Sequence, residues 1–292
     1  MSWRTLVITK RAKVDYKGGY MVIRTLDDDG EKRVHISELG TVIFESTAIT
    51  LTAYLLNELA NNKVKVIFCD HQHNPYSEIC SLYGSHDQVL TIKEQIAWKQ
   101  QTKNEVWQRI VQFKIANQAE NLKYIGDDKS YNSLIEFAKQ VEEGDVTNRE
   151  GHAAKIYFNR FFGEGFVRHS EDHCNSALNY GYAILLSSIN REVSSNGYLT
   201  QLGIFHDNQF NNFNLSCDLM EIFRPVVDRF VYDKNFDKFE TDEKTSMTFF
   251  MKGQVKYKGQ KQWLNNAITL FVRDCLTALT ENSPSLVENI EK

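Results

Sequence analysis

Residues 87–121, Asp-Gln-Val-Leu-Thr-Ile-Lys-Glu-Gln-Ile-Ala-Trp-Lys-Gln-Gln-Thr-Lys-Asn-Glu-Val-Trp-Gln-Arg-Ile-Val-Gln-Phe-Lys-Ile-Ala-Asn-Gln-Ala-Glu-Asn, mark the point where the chain changes character. Ile92, Ile96, Trp107, Ile110 and Val111 recur at helical spacing, which predicts one long helix with Lys99, Lys103, Arg109 and Lys114 on its polar side. The same period returns over 131–143, 147–162, 172–192, 215–230 and 263–280, so everything after residue 87 reads as helical. Upstream the period is that of strands. Leu6 to Ile8, Tyr20 to Ile23, Val34 to Ile36 and Val42 to Phe44 are short β-branched or aromatic runs, broken at Gly18-Gly19 and at Asp27-Asp28-Asp29-Gly30. A helix over 50–60 and a buried strand over 64–69 complete this part. The expected class is α+β: a small β-rich domain over 1–76, a linker over 77–86, and a larger all-α domain over 87–292 that carries the chemistry. Short strands with open edges make the first domain the expected dimer contact. The polar, acidic tail from Glu281 is expected to be loosely held.

Composition excludes several classes. With 42% hydrophobic and 25% charged residues, three prolines and 15 glycines, the chain is neither disordered nor fibrous. No apolar run reaches the length of a membrane span, and the start Met-Ser-Trp-Arg-Thr lacks the apolar stretch of a signal peptide, so a cytoplasmic protein is expected. Five cysteines, at 69, 80, 174, 217 and 275, form no Cys-x-x-Cys pair and read as free thiols rather than a zinc site. The run Asp70-His71-Gln72-His73-Asn74-Pro75 reads as a turn in preference to a metal site. A net charge of −4 neither requires nor forbids nucleic acid, because local lysines facing phosphates set that affinity. Lys252, Lys256, Lys258 and Lys261, interleaved with Tyr257 and Trp263, are one such cluster and also fit a solvated turn.

Three side chains stand in distinctive settings. Glu150 opens Glu-Gly-His-Ala-Ala and fits two roles: partner of Thr147 in a capping box, or a ligand on a stripe shared with Ala153, Ala154 and Tyr157. His206 ends Leu-Gly-Ile-Phe-His before a polar run, as a loop residue or a ligand. Glu221 lies on one helical arc with Asp218, Arg224 and Asp228, which is either an exposed charged face or a pair of repelling acids with a cation between them. Pro225 cannot donate to the carbonyl of Glu221, so a kink is expected beside that carboxylate. Two carboxylates and an imidazole suit Mg2+ or Mn2+, and such a cation suits phosphoryl transfer on nucleic acid.

In this order, Glu-Gly-x-Ala-Ala at 150–154, Asn-Tyr-Gly-Tyr at 179–182, Gly-x-x-His at 203–206 and Asp-Leu-Met-Glu-x-Phe-Arg-Pro at 218–225 resemble the CRISPR-associated protein one family. The strand Val64 to Cys69 before His73-Asn74-Pro75 resembles its β domain, and the detail is most similar to type II-A members. The resemblance implies an adaptation integrase that joins 3′-hydroxyl ends of new spacer DNA into the repeat array by transesterification. It implies metal ligands at Glu150, His206 and Glu221, with Asp218 supporting them; Arg224, one turn beyond Glu221, fits either contact with the scissile phosphate or the orienting of a carboxylate. It also implies a homodimer, a small companion adaptation subunit, further type II-A adaptation proteins and double-stranded DNA as partners. Two other readings stand beside it. One is a nuclease or branched-DNA resolving enzyme that uses water at the same site. The other is a DNA-end-binding scaffold whose acids are caps and solvated faces.

Overall fold

The strand pattern before residue 79 builds two four-stranded sheets. The computed structural model describes residues 4–25, 30–79 and 87–291. Its strands are β1 (Arg4–Ile8), β2 (Ala12–Lys17), β3 (Tyr20–Thr25), β4 (Glu31–His35), β5 (Leu39–Phe44) and β6 (Ile49–Leu51), then β7 (Lys65–Cys69) and β8 (Pro75–Glu78) after the helix α1 (Ala53–Asn61). One sheet runs β1-β5-β7-β8, parallel except for the last pair; the other runs β4-β3-β2-β6. Gly18 and Gly19 both have positive φ, 56° and 89°, the turn that matches the twist of the β2–β3 hairpin. Val14, Met21, Leu39, Val42, Phe44, Leu55, Leu59 and Val66 fill the core of this unit. Lys65 is buried in β7 because its ammonium pairs with Glu78 of β8. Residues 70–75 form the expected turn: Asp70 accepts the amides of Gln72 and Asn74, both at 2.9 Å. The predicted break at 27–29 and most of the predicted linker lie outside the described residues.

The helical part comprises α2 (Gln88–Ile96), α3 (Gln100–Tyr124), α4 (Asp128–Lys139), α5 (Arg149–Phe161), α6 (His173–Ser195), α7 (Asn214–Met220), α8 (Arg224–Lys234), α9 (Thr241–Met247) and α10 (Leu264–Thr280), with β9 (Gln254–Tyr257), β10 (Gln260–Trp263) and β11 (Ile290–Glu291). The α+β order of a β-rich region followed by a helical one holds. The second region is not all helical, however, since β10, β9 and β11 form a small sheet. Lys258 and Gly259, with φ of 49° and 73°, make the tight β9–β10 turn, so the lysine-rich stretch is a hairpin. The predicted single helix over 87–121 is two. Trp98 interrupts it, buried against Tyr198 at 5.5 Å and donating its indole N–H to Thr280. Neither glycine nor proline announces that break.

Contacts divide the chain into Met1–Tyr83 with Glu240–Thr248, and Gly84–Phe239 with Phe249–Lys292. The return of α9 to the first unit departs from a contiguous split at 76 and 87. Lys244 of α9 donates to the carbonyl of Gln72 at 2.6 Å within that unit. In the second unit α3 is central, packed against α4, α5, α8 and α10. Among the described residues the cysteines are all free, and no helix is long and apolar enough to cross a membrane.

The tail after α10 is held, contrary to the expectation of a loose end. Val287 and Ile290 are buried, Arg109 donates to the carbonyl of Val287 at 2.9 Å, and β11 pairs with β9. Burying two aliphatic side chains is worth about 3 kcal/mol or more. Deleting residues 281–292 should therefore lower the thermal midpoint by several degrees. An unchanged melting curve would mean that the tail contributes nothing to the fold.

Candidate active site

Four elements of the helical unit deliver charged side chains to one buried place, and local chemistry explains each delivery. Glu150 sits in the first turn of α5. The expected Thr147 capping box does not form. Asn148, with φ of 51°, is the N-cap and accepts from Gly151, while both oxygens of Asp145 accept the amides of Arg149 and Glu150. Asp145 thus takes the Glu150 amide that a capping Thr147 would have accepted, and the Glu150 carboxylate pairs with Lys114 instead of capping.

Glu221 stands where the expected kink occurs. The chain leaves α7 at Met220, passes through a 3-10 turn over Glu221–Phe223 and re-enters helix at Arg224 with Pro225 at its start. Proline fits that first turn, where no amide partner is required. Asp218, Glu221 and Asp228 are all buried, so this arc is not an exposed charged face. Glu221 Oε1 lies 2.7 Å from Nε of Arg224, whose guanidinium stacks over the Tyr182 ring at 4.6 Å. Arg168 covers the same ring at 5.1 Å and donates to Asn175 and Asn179. The Asn179–Tyr182 motif on α6 therefore organises two arginines. The Tyr182 hydroxyl donates to Asp228, whose carboxyl burial pushes up to about 6.

His206 is placed by Asp218. One Asp218 oxygen accepts the amides of Ile204 and Phe205 at 2.6 and 3.1 Å; the other accepts the amide of His206 at 3.1 Å and meets its Nδ1 at 2.6 Å. An ionised carboxylate only accepts, so Nδ1 carries a proton, and in the neutral ring the lone pair is left on Nε2. Gly203 is required by close approach: a Cβ there would stand 2.3 Å from the His206 carbonyl and 2.8 Å from an Asp218 oxygen. The ring also packs edge-on to Trp107, which stacks on Phe205 at 4.5 Å. The polar run after His206 is ordered by Asn214, which donates to the carbonyls of Gln201 and Asn208.

Lys114 of α3, expected on a solvated face, is buried and bonds to both Glu150 and Glu221. Burial works to lower its pKa, but the two carboxylates outweigh that and raise it. Burial would raise the Glu221 carboxyl; Arg224 and Lys114 instead hold it below its ordinary value. His206 is raised chiefly by its hydrogen bond to Asp218, with Glu221 and Glu150 also contributing. All three predicted ligand side chains thus lie within electrostatic reach of one another. Among the described residues no three His, Cys, Asp or Glu side chains converge into a ready-made metal cage, and the Lys114 ammonium stands between the two carboxylates. The donor types themselves fit a divalent cation: two carboxylates and an imidazole nitrogen already oriented by a second carboxylate. Sequence reasoning passed over Lys114, although its place beside Ile110, Val111 and Ile115 on a buried stripe was a signal.

The predicted DNA-facing lysines lie apart from this cluster in the sequence. Lys256 and Lys258 pair with Glu291 and Asp274 at 3.0 and 2.8 Å, and Lys252 lies over the Phe249 ring, with Lys261 on β10. Exposed pairs of this kind are weak and exchange readily for other anions.

Known proteins resemble this chain over most of its length. The chain is 34% identical over 229 residues to the CRISPR-associated endonuclease Cas1 of Neisseria meningitidis serogroup C (strain 8013), covering 78% of this chain and 74% of that relative. Its fold is similar to a casposase bound to integration product, with a TM-score of 0.78 and 17% identity, covering 96% of this chain and 91% of the other. It is also similar to part of a Cas6-RT-Cas1–Cas2 complex, with a TM-score of 0.76 and 16% identity, covering 98% of this chain and 36% of that longer one. The sequence pattern described as CRISPR associated protein Cas1 matches residues 6–258, and the chain belongs to that family.

Proposed function

We propose that this chain is a divalent-cation-dependent DNA integrase and endonuclease of CRISPR adaptation, acting through Glu150, His206 and Glu221. The observation that carries this reading is that Glu150 and Glu221 meet at Lys114 within electrostatic reach of His206, whose ring Asp218 holds by Nδ1. Those three groups would hold one Mg2+ or Mn2+, which when bound polarises a phosphodiester and neutralises the leaving oxygen.

The protein's own side chains account for the rest. Asp218 fixes the imidazole plane and tautomer, and Arg224 holds one oxygen of Glu221. An open cleft beside the site is lined by Arg168, His169, His173 and Arg224, with Glu171 and Asp172 also in its walls. Its two guanidinium groups suit phosphate oxygens, which they can bind in bidentate fashion. A DNA 3′-hydroxyl held there attacks phosphorus, a new P–O bond forms, and the bond to the target strand's 3′ oxygen breaks. The hydroxyl needs alignment more than it needs a strong base. With water as nucleophile the same groups cleave DNA, as the names of the relatives suggest. The scaffold reading is disfavoured because Asp218 and Glu221 are neither caps nor solvated.

We further propose that the protein works as a homodimer joined through its β-rich unit and bridged to a second dimer by a small companion subunit, with other type II-A adaptation proteins as further partners. A chain that sediments as a monomer would remove the dimer from this account.

Glu150→Gln, Glu221→Gln and His206→Ala should each reduce strand joining to background in Mg2+ or Mn2+, with folding retained. The carboxamides keep shape while losing ligand charge, and His206 is 39% exposed. Gly203→Ala should cost about 10- to 100-fold by moving the imidazole. Any ligand variant that joins labelled DNA ends into a repeat-bearing plasmid at the wild-type rate is not a ligand variant. Replacing Lys252, Lys256, Lys258 and Lys261 together by Ala should weaken DNA binding irrespective of sequence. The dependence of log affinity on log salt should become shallower by about 0.9 per lost phosphate contact. An unaltered salt slope would leave that hairpin as a solvated turn.

A further inference from the structure

Lys114 is an anomaly on its own helix. It sits among Val106, Trp107, Ile110, Val111 and Ile115, all of them buried, and its side chain is only 8% exposed. A buried ammonium is tolerated only when fully paired, and this one has two carboxylate partners from two other elements. Those partners are the two acidic groups of the candidate cation site. Glu221 commits Oε1 to Arg224 and presents Oε2 to Lys114; Glu150 presents Oε1 to the same ammonium. The lysine thus already engages one oxygen of each carboxylate that a divalent cation would need. Two carboxylates, one ammonium and one guanidinium also leave this cluster formally neutral.

We propose that Lys114 is a resident counter-ion that competes with the divalent cation for Glu150 and Glu221, and so sets how tightly the cation binds. The inference rests on the cation-site reading above. Without Lys114 the buried Glu221 and the half-buried Glu150 would lose the cation that joins them, so the ammonium assembles α3, α5 and the turn at Glu221 before any metal arrives. A cation entering this site competes with the ammonium for the same two carboxylates, and that competition weakens its binding. Lysine suits the task where arginine would not. Its charge is compact and its four-carbon stem flexible, so Nζ can leave one oxygen without disturbing the helix, whereas a planar guanidinium would hold both.

The test is Mn2+ titration of the full chain, followed by calorimetry and by the thermal midpoint, for wild type, Lys114→Met, Lys114→Arg and Glu221→Gln. Wild type should bind Mn2+ and Glu221→Gln should not. Lys114→Met should bind at least 10-fold more tightly than wild type and gain more thermal stability from Mn2+, from a lower starting midpoint. Lys114→Arg should bind no more tightly than wild type. If Lys114→Met is unfolded without metal, Mn2+ added during refolding should restore its circular dichroism, because the ion then supplies the missing positive charge. Failure of Mn2+ to restore it, or equal or weaker binding by a folded Lys114→Met, overturns the counter-ion role alone. Wild type that binds no Mn2+, or binds it as Glu221→Gln does, overturns the cation site and this inference with it.

Discussion

One ammonium group ties together three stretches of chain that are far apart in sequence. Lys114 on α3 reaches Glu150 at the start of α5 and Glu221 at the break between α7 and α8, all with little access to water. Charges at such depth stabilise a fold only when each is paired, and removing one partner from a buried pair costs about 3–5 kcal/mol. The position of each element around α3 is therefore constrained by electrostatics as well as by packing. The constraint also explains why neighbouring irregularities are kept. Asp145 and Asn148 take left-handed backbone so that α5 begins with its carboxylate free, and Pro225 ends a 3-10 turn that points Glu221 inward.

Around this cluster a second carboxylate performs a different task. Asp218 is fully buried and faces the imidazole of His206. Its oxygens are consumed by three backbone amides and Nδ1 of His206. That arrangement converts a loop, ordinarily the least fixed part of a protein, into a rigid support for one imidazole nitrogen. The Asn179–Tyr182 segment does the equivalent for Arg168 and Arg224. The side chains of this site are thus held by their neighbours, whose placement determines which oxygens and nitrogens point into the common space.

Much of the fold was legible from periodicity. Strand runs with Gly18-Gly19 at a hairpin, and helices with apolar stripes, followed from local backbone and burial preferences. Pro225 beside Glu221 correctly announced a kink, because a missing amide has a local consequence. What was not legible depended on partners distant in sequence. Trp98 breaks a helix through contacts with Tyr198 and Thr280, which no local signal foretells. The acidic tail is held because Val287 and Ile290 find a hydrophobic site and β11 an open strand edge. Thr147 and Glu150 had the spacing of a capping box, yet Asp145 was the better acceptor. Lys114 was grouped with solvated lysines because a charged side chain ordinarily marks an exposed face; its neighbours on the stripe argued otherwise. The motif residues Glu150, His206 and Glu221 were named from their order and resemblance, whereas their convergence required the fold.

The most direct test of this account is a crystal of the full chain grown with Mn2+, with the ion located by its anomalous scattering. The account predicts one strong peak contacted by Glu150, Glu221 and Nε2 of His206, with Lys114 Nζ withdrawn from at least one of the carboxylates. A manganese peak away from these three side chains, with Lys114 still bridging Glu150 and Glu221 in a protein shown to be active in Mn2+, would contradict it.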